Sequence, residues 1–321
     1  GTSITSDSRI GYNNPTPPIQ PSGIGFTYKG NQMIYEGGLM VGGVINGVTY
    51  VSDNVIDSID ADNDFATLFS VNEILPSLIG DKYISTTFTD FNINNPSLNI
   101  NVIQNTYAWD NSADNNYIIS EYHLINNGNQ TITNLYAGIM ADWDIMDYSM
   151  NKTSFDPNQN MGYAYSSQFN SPYIGIKLLS NHNVFHYGLD FVLGGQGGIN
   201  TYPPESFTTL NKYSALSSNR HSAGINGAGN DIKDIVSTGP FILPSNDTIQ
   251  IAFAMIGAEN LNMLLQHANE AQSKYDSIYP PIDTTTNKIT NSSNLIFNVF
   301  PNPSNDLVYF FSNKNVNEIL Y

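Results

Sequence analysis

Three acids at the end of one apolar run carry the densest candidate chemistry in the chain: Asp142, Asp144 and Asp147, within NLYAGIMADWDIMD at 134–147. Side chains two apart on a strand share a face, so a strand that runs as far as Asp144 points Asp142 and Asp144 together while Trp143 points the other way, toward the core. Two carboxylates on one face repel unless a cation or hydrogen-bond donors lie between them. A structural Ca²⁺ held by Asp142, Asp144 and Asp147, its shell filled by backbone carbonyls and Asn151, fits hard-cation chemistry. The competing reading is that one acid caps a turn and the others are solvated.

A second acidic set is Asp60, Asp62 and Asp64, in DADND. It opens like a D-x-D-x-D calcium loop, but the Gly expected at the sixth position is Phe65 and the Glu expected at the twelfth is Val71. A solvated acidic loop is the better reading. His182 and His186 have a spacing that binds zinc on a helix. The intervening Val184 and Phe185 favour a strand, where residues four apart sit roughly 13 Å from one another, and no Glu follows His182 as in the metalloprotease motif. GGQGG at 194–198 and GINGAG at 224–229 lack the strand–helix setting of a phosphate loop and read as plain loops. No catalytic set stands out.

The elements that must position these residues are strands. YIISEYHLINNGNQTITN reads as a strand, a polar turn and a second strand leading into the 134–147 run. Further strands recur in 23–53, with Gly30-Asn31 and Asn46-Gly47 as turns, and at YISTTFTDFNI, LNINVIQNTYAW, MGYAYSS, YIGIKLL, VFHYGLDFVL, DIVSTGPFIL and DTIQIAFAMIGA. One segment, ENLNMLLQHANEAQSKY, keeps helical spacing through Leu261, Leu264, Leu265, Ala268 and Ala271. The pattern predicts an all-β fold: a large antiparallel β-sandwich, or super-sandwich, with one peripheral α-helix. Residues 1–22 read as an entry segment, 23–279 as the sandwich, 280–293 as a polar linker led by two prolines, and 294–321 as the start of a small second β domain.

Composition narrows the partners. Of 321 residues only 12% are charged, the net charge is −17, and 20 are Tyr. Such a chain lacks the basic face that nucleic acid requires and is repelled by an anionic membrane surface. It has no Cys, hence no disulfide and no thiolate chemistry. No 18-residue apolar run is present, so no helical membrane span is expected. The start lacks a signal-peptide pattern, and Gly1 reads as a cut within a longer precursor. The opening Gly1-Thr2-Ser3 matches only the first three residues of the subtilisin-like nucleophile motif, and continues differently.

NVFPNPSNDL, at 298–307, resembles the opening of the C-terminal sorting domain of the type IX secretion system of Bacteroidetes, on the strength of Pro301, Asn302 and Pro303 between two apolar stretches. The family's later strands and terminal basic motif are missing, so this domain reads as truncated. RIGYN, GIGFTYKGNQMIYEGGLMVGG, NNGNQTITNLYAGIMADWDI, VSTGPFILPSND and ENLNMLLQHANEAQSKY resemble the non-catalytic β-rich region of large secreted proteins of that group, which often lies downstream of a subtilisin-like protease domain. The resemblance implies a secreted or outer-surface location, the type IX machinery as partner through the tail, and a protease domain as neighbour. It also implies Asp-Ser/Thr-apolar O-glycosylation, for which Ser58, Thr248 and Ser277 are candidates. The expected function is a non-catalytic accessory or interaction module. The alternatives are a carbohydrate-binding module, with exposed Tyr stacking on sugars, and a glycoside-acting sandwich enzyme with a carboxylate pair.

Overall fold

Turn chemistry cuts the chain into strands. At Asn46 (φ 52°) and Gly47 (φ 80°) both central residues of a hairpin turn have positive φ, the geometry that matches the right-handed twist of paired strands. The computed structural model describes residues 1–12, 23–55, 62–77, 79–91, 96–280, 298–300 and 309–311. Contacts divide the chain into two units, Gly1–Pro280 and Pro281–Tyr321.

In the first unit the strands are β1 (Thr27–Tyr28), β2 (Asn31–Gln32), β3 (Ile34–Ile45), β4 (Val48–Ser52), β5 (Ala66–Glu73), β6 (Lys82–Thr89), β7 (Ile100–Ala108), β8 (Tyr117–Asn126), β9 (Ile132–Trp143), β10 (Asn151–Asp156), β11 (Met161–Ser166), β12 (Tyr173–Leu178), β13 (Val184–Asp190), β14 (Ile232–Leu243) and β15 (Thr248–Ala258). Helix α1 spans Thr209–Ser217 and α2 spans Leu261–Ile278. One sheet has eight strands in the order β10-β11-β12-β15-β8-β7-β6-β5, and a second has five, in the order β13-β14-β9-β3-β4. Their pairings are antiparallel.

The sheets close on one core. Leu39, Ala137, Ile139 and Val236 from the five-stranded sheet share it with Val102, Leu124, Ile176 and Phe253 from the eight-stranded one. The layers approach closely at Gly162, where a Cβ would come within 2.5 Å of the His186 ring. The five-stranded sheet is also covered on its other face, where Met40, Met140, Leu189 and Ile235 pack with Phe207, Ala215 and Leu216. Burial on both faces explains why LYAGIMA in β9 runs apolar without alternation. Helix α2 lies against β15, β12 and β8, burying Leu264, Ala268, Ala271 and Tyr275.

The all-β sandwich with a helix at its periphery is as the sequence implies. Helix α1 is additional. Its inward side carries Lys212 beside Ala215 and Leu216, so a charge interrupts the apolar stripe that marks an amphipathic helix. Strands β5 and β10 also escape the sequence pattern, because β5 is exposed throughout and NKTSFD is mostly polar. Residues 1–11, read as an entry segment, make bridges from Ile4 to Ile10 and from Arg9 to Gly38, with Ile10 in the core. The second unit shows β16 (Asn298–Phe300) paired antiparallel with β17 (Tyr309–Phe311). Pro301, Asn302, Pro303, Ser58 and Asp60 lie outside the described residues.

Candidate functional site

The acids singled out by sequence reach the end of the five-stranded sheet, where register decides their company. Glu36 on β3 faces Asp142 on β9, which faces Lys233 on β14. This is one cross-strand row on the sheet's outer face. The Lys233 ammonium lies 3.0 Å from Asp142 Oδ2 and 3.7 Å from Glu36 Oε1, and 4.9 Å from the centre of the Phe191 ring. Burial opposes charge on Lys233, but Asp142 and Glu36 outweigh it and hold the ammonium's pKa above its usual value. Two more acids border the row. Burial first, and then the Asp142 charge, push Asp144 up to about 6 and Asp231 up to about 7.

Asp147 belongs to a separate arrangement. Its Oδ1 accepts from Ser149 N at 3.0 Å and from Ser149 Oγ at 2.7 Å, capping a single 3₁₀ turn at Tyr148–Met150. Asn151 staples the same loop: its Nδ2 donates to Ile145 O and Asp147 O, and its Oδ1 accepts from Ile145 N. Around Asp142 the cation is thus the protein's own lysine. Trp143 is buried, and its Nε1 donates to Asp234 Oδ1 at 2.8 Å.

A second acidic set converges elsewhere. Among the described residues, Asp53, Asp62 and Asp64 form a group whose carboxylate oxygens lie within 4.8 Å of one another. Asp62 and Asp64 come from the D-x-D-x-D stretch; Asp53, fully buried just after β4, does not. Lys212, from α1, donates to Asp53 Oδ1 at 3.0 Å and also to Asp62. Burial again opposes the ammonium, while Asp53 and Asp62 hold its pKa up. Asp64 rises to about 6, chiefly by burial and then by the Asp53 charge.

The two histidines do different jobs. The His182 ring packs edge-on against Phe241, 5.0 Å between centres. His186 is fully buried, with Nε2 at 3.3 Å from Asp234 Oδ2, an oxygen that also accepts from Thr153 Oγ1 at 2.9 Å. Both glycine loops are tied to one acid: Asp190 accepts from Gly224 N and Asn230 Nδ2 at 2.7 Å each and from Arg220 at 2.6 Å, while Arg220 donates to Gln196 O. Sequence reading missed Lys212, Lys233, Asp234 and Arg220. The one available signal was Lys233-Asp234 inside the apolar strand IKDIV, where charge on both faces implies partners on both.

Half-buried Tyr163, Tyr165 and Tyr173 stand near one another on β11 and β12. Tyr165 and Tyr173 are 4.8 Å apart at an interplanar angle of 10°, and Tyr163 and Tyr165 are 6.3 Å apart at 25°. Thr248 and Ser277 are exposed, the latter donating to Lys274 O. No helix among the described residues is long and apolar enough to cross a membrane.

No family model matches the chain, and no curated protein does. Among solved structures, the Slr1438 protein of Synechocystis sp. PCC 6803 is similar with a TM-score of 0.37 and 6% sequence identity, over 76% of this chain and 81% of that one.

Proposed function

We propose that this chain is a non-catalytic accessory or interaction module of a larger exported protein, at the outer cell surface or secreted, with a protease domain as its neighbour. The observation that carries the non-catalytic part is how the titratable groups are used. Lys212 closes onto Asp53 and Asp62, Lys233 onto Asp142 and Glu36, and Arg220 onto Asp190. Each pairing holds loops and strands together, and none leaves an acid and a base poised in a cleft for proton transfer. The exported setting is supported by the sorting-like 298–307 stretch and by an acidic, Cys-free composition. The test is to assay the purified chain against casein and a panel of polysaccharides. Turnover that Asp142→Asn or Asp231→Asn abolishes, with the fold intact by circular dichroism, would sink the reading. For export, residues 281–321 completed with the later strands and terminal basic motif of a type IX sorting domain should carry a reporter to the medium of a type IX-competent host; retention inside the cell counts against it.

A second reading, carbohydrate binding, is favoured by the Tyr163–Tyr165–Tyr173 array, since aromatic rings stack on sugars. Glycan-array binding lost in Tyr165→Ala would support it, and silence across the array would dismiss it. Structural Ca²⁺ is a separate proposal and moves from Asp142, Asp144 and Asp147, where it was expected, to the converging oxygens of Asp53, Asp62 and Asp64. Melting that is identical with EDTA and with added Ca²⁺ removes it.

A further inference from the structure

The three-tyrosine array lies on the outer face of the eight-stranded sheet. Thr153 turns inward to Asp234, and Ala164 and Ile174 turn into the core, so their neighbours along each strand turn outward. Register then sets Lys152 of β10 opposite Tyr165 of β11, which is itself opposite Tyr173 of β12, and sets Ser154 opposite Tyr163. An ammonium, three phenols and a hydroxyl share one surface. The turn that joins β11 to β12 carries Phe169, which is 89% exposed, more than any other large apolar residue among those described. The contacts run along the β11–β12 hairpin, which suits an extended ligand.

Charge narrows the ligand. Of the 11 lysines and arginines, Lys288 and Lys314 lie outside the described residues. Among the rest, Lys29, Lys82, Lys212, Arg220, Lys233 and Lys274 pair with carboxylates. Arg9 and Lys177 are buried and donate to backbone carbonyls. Lys152 alone among the described cations is neither paired with an acid nor buried; it makes one bond, at 3.3 Å, to Gly227 O. It is therefore a cation able to meet a carboxylate from outside. The chain's net charge of −17 repels a dense polyanion, so the carboxylates that suit this face are sparse ones.

We infer that this face binds a linear glycan whose neutral backbone carries isolated uronates. Phe169 and the tyrosines take the sugar rings, and Lys152 takes a carboxylate. The assignment rests on the carbohydrate-binding reading of the tyrosine array and names its ligand class.

The experiment is affinity electrophoresis of the whole chain in glucuronoxylan and in the same polymer after its carboxyl groups have been reduced to alcohols. Binding to both is expected, about tenfold tighter to the acidic form. Lys152→Gln should lower the acidic form to the level of the reduced one and leave the reduced one unchanged. Phe169→Ala should weaken both by about the same factor, roughly tenfold. Both variants should melt with the parent chain, since neither side chain is buried. Equal binding to the two polymers, or a preference that Lys152→Gln leaves intact, overturns the uronate assignment while the carbohydrate-binding reading stands. Binding to neither polymer overturns the assignment too, and silence across the glycan array then dismisses that reading with it.

Discussion

Two acid clusters in this molecule are each closed by one buried lysine, and they are built in opposite ways. Glu36, Asp142 and Lys233 are direct neighbours across three strands, so strand register alone brings them together. Asp53 and Lys212 lie 159 residues apart and meet only because α1 docks over the five-stranded sheet. The first cluster keeps Asp144 and Asp231 at its border, part-exposed and able to shed charge by taking up protons. The second has Asp53 at its centre, fully buried, where burial pushes its pKa up and Lys212 partly offsets that, and it too has a part-exposed border acid, Asp64. Both clusters keep surplus acid at a part-exposed border; they differ in how the lysine arrives, by strand register in one and by helix docking in the other.

The largest expected effect lies at the docked cluster. Lys212→Met leaves Asp53 as an uncompensated buried carboxylate and should cost about 3–5 kcal/mol in chemical denaturation at pH 7. The double variant Lys212→Met/Asp53→Leu should recover most of that, because an apolar pair of similar volume often replaces a buried ion pair at little cost. If the double variant is no better than the single, α1 docking depends on more than this pair. Added Ca²⁺ should raise the melting temperature of Lys212→Met more than that of the parent chain, since the three oxygens then have no ammonium between them.

Lys233→Met should cost about 3 kcal/mol at pH 7, the low end of the same range. The loss should shrink toward pH 5, as Asp144 and Asp231 take up protons. Equal losses at both pH values would show that the border acids do not relieve the cluster.

A smaller effect isolates those acids. Asp144 and Asp231 bind protons more tightly in the folded chain than in the unfolded one, where an aspartate titrates near 3.8. Their contribution to stability therefore rises as pH falls from about 7 toward about 4, and is lost as pH rises through their folded values. Asp144→Asn should raise the melting temperature at pH 7 and change it little at pH 4. A parallel displacement at both pH values would contradict the raised pKa.

The smallest effect is at the turn. Asp147→Ala removes the cap from the 148–150 turn and should cost about 0.5–1 kcal/mol with no dependence on added Ca²⁺.

The register-built cluster was half legible. Asp142 and Asp144 stood out because acids at the end of an apolar strand are conspicuous, but β9 ends at Trp143, so the alternation rule reaches Asp142 and not Asp144. Lys233 was hidden because strand partners 91 residues apart leave no local mark. The docked cluster was legible only as its exposed half: the DADND spacing showed Asp62 and Asp64, while Asp53 and Lys212 looked like isolated charges. The same holds for α1, whose buried lysine broke the periodicity that revealed α2.

By itself the sequence determined the strand-rich class, most strand positions and helix α2, because period-two patterning, turn residues and helical spacing are local properties of the chain. Tertiary structure decided the order of the two sheets, the exposure of β5 and the identity of the cations facing the acids. Those depend on which distant segments are brought into contact, and a carboxylate's partner is set by that contact rather than by its neighbours along the chain.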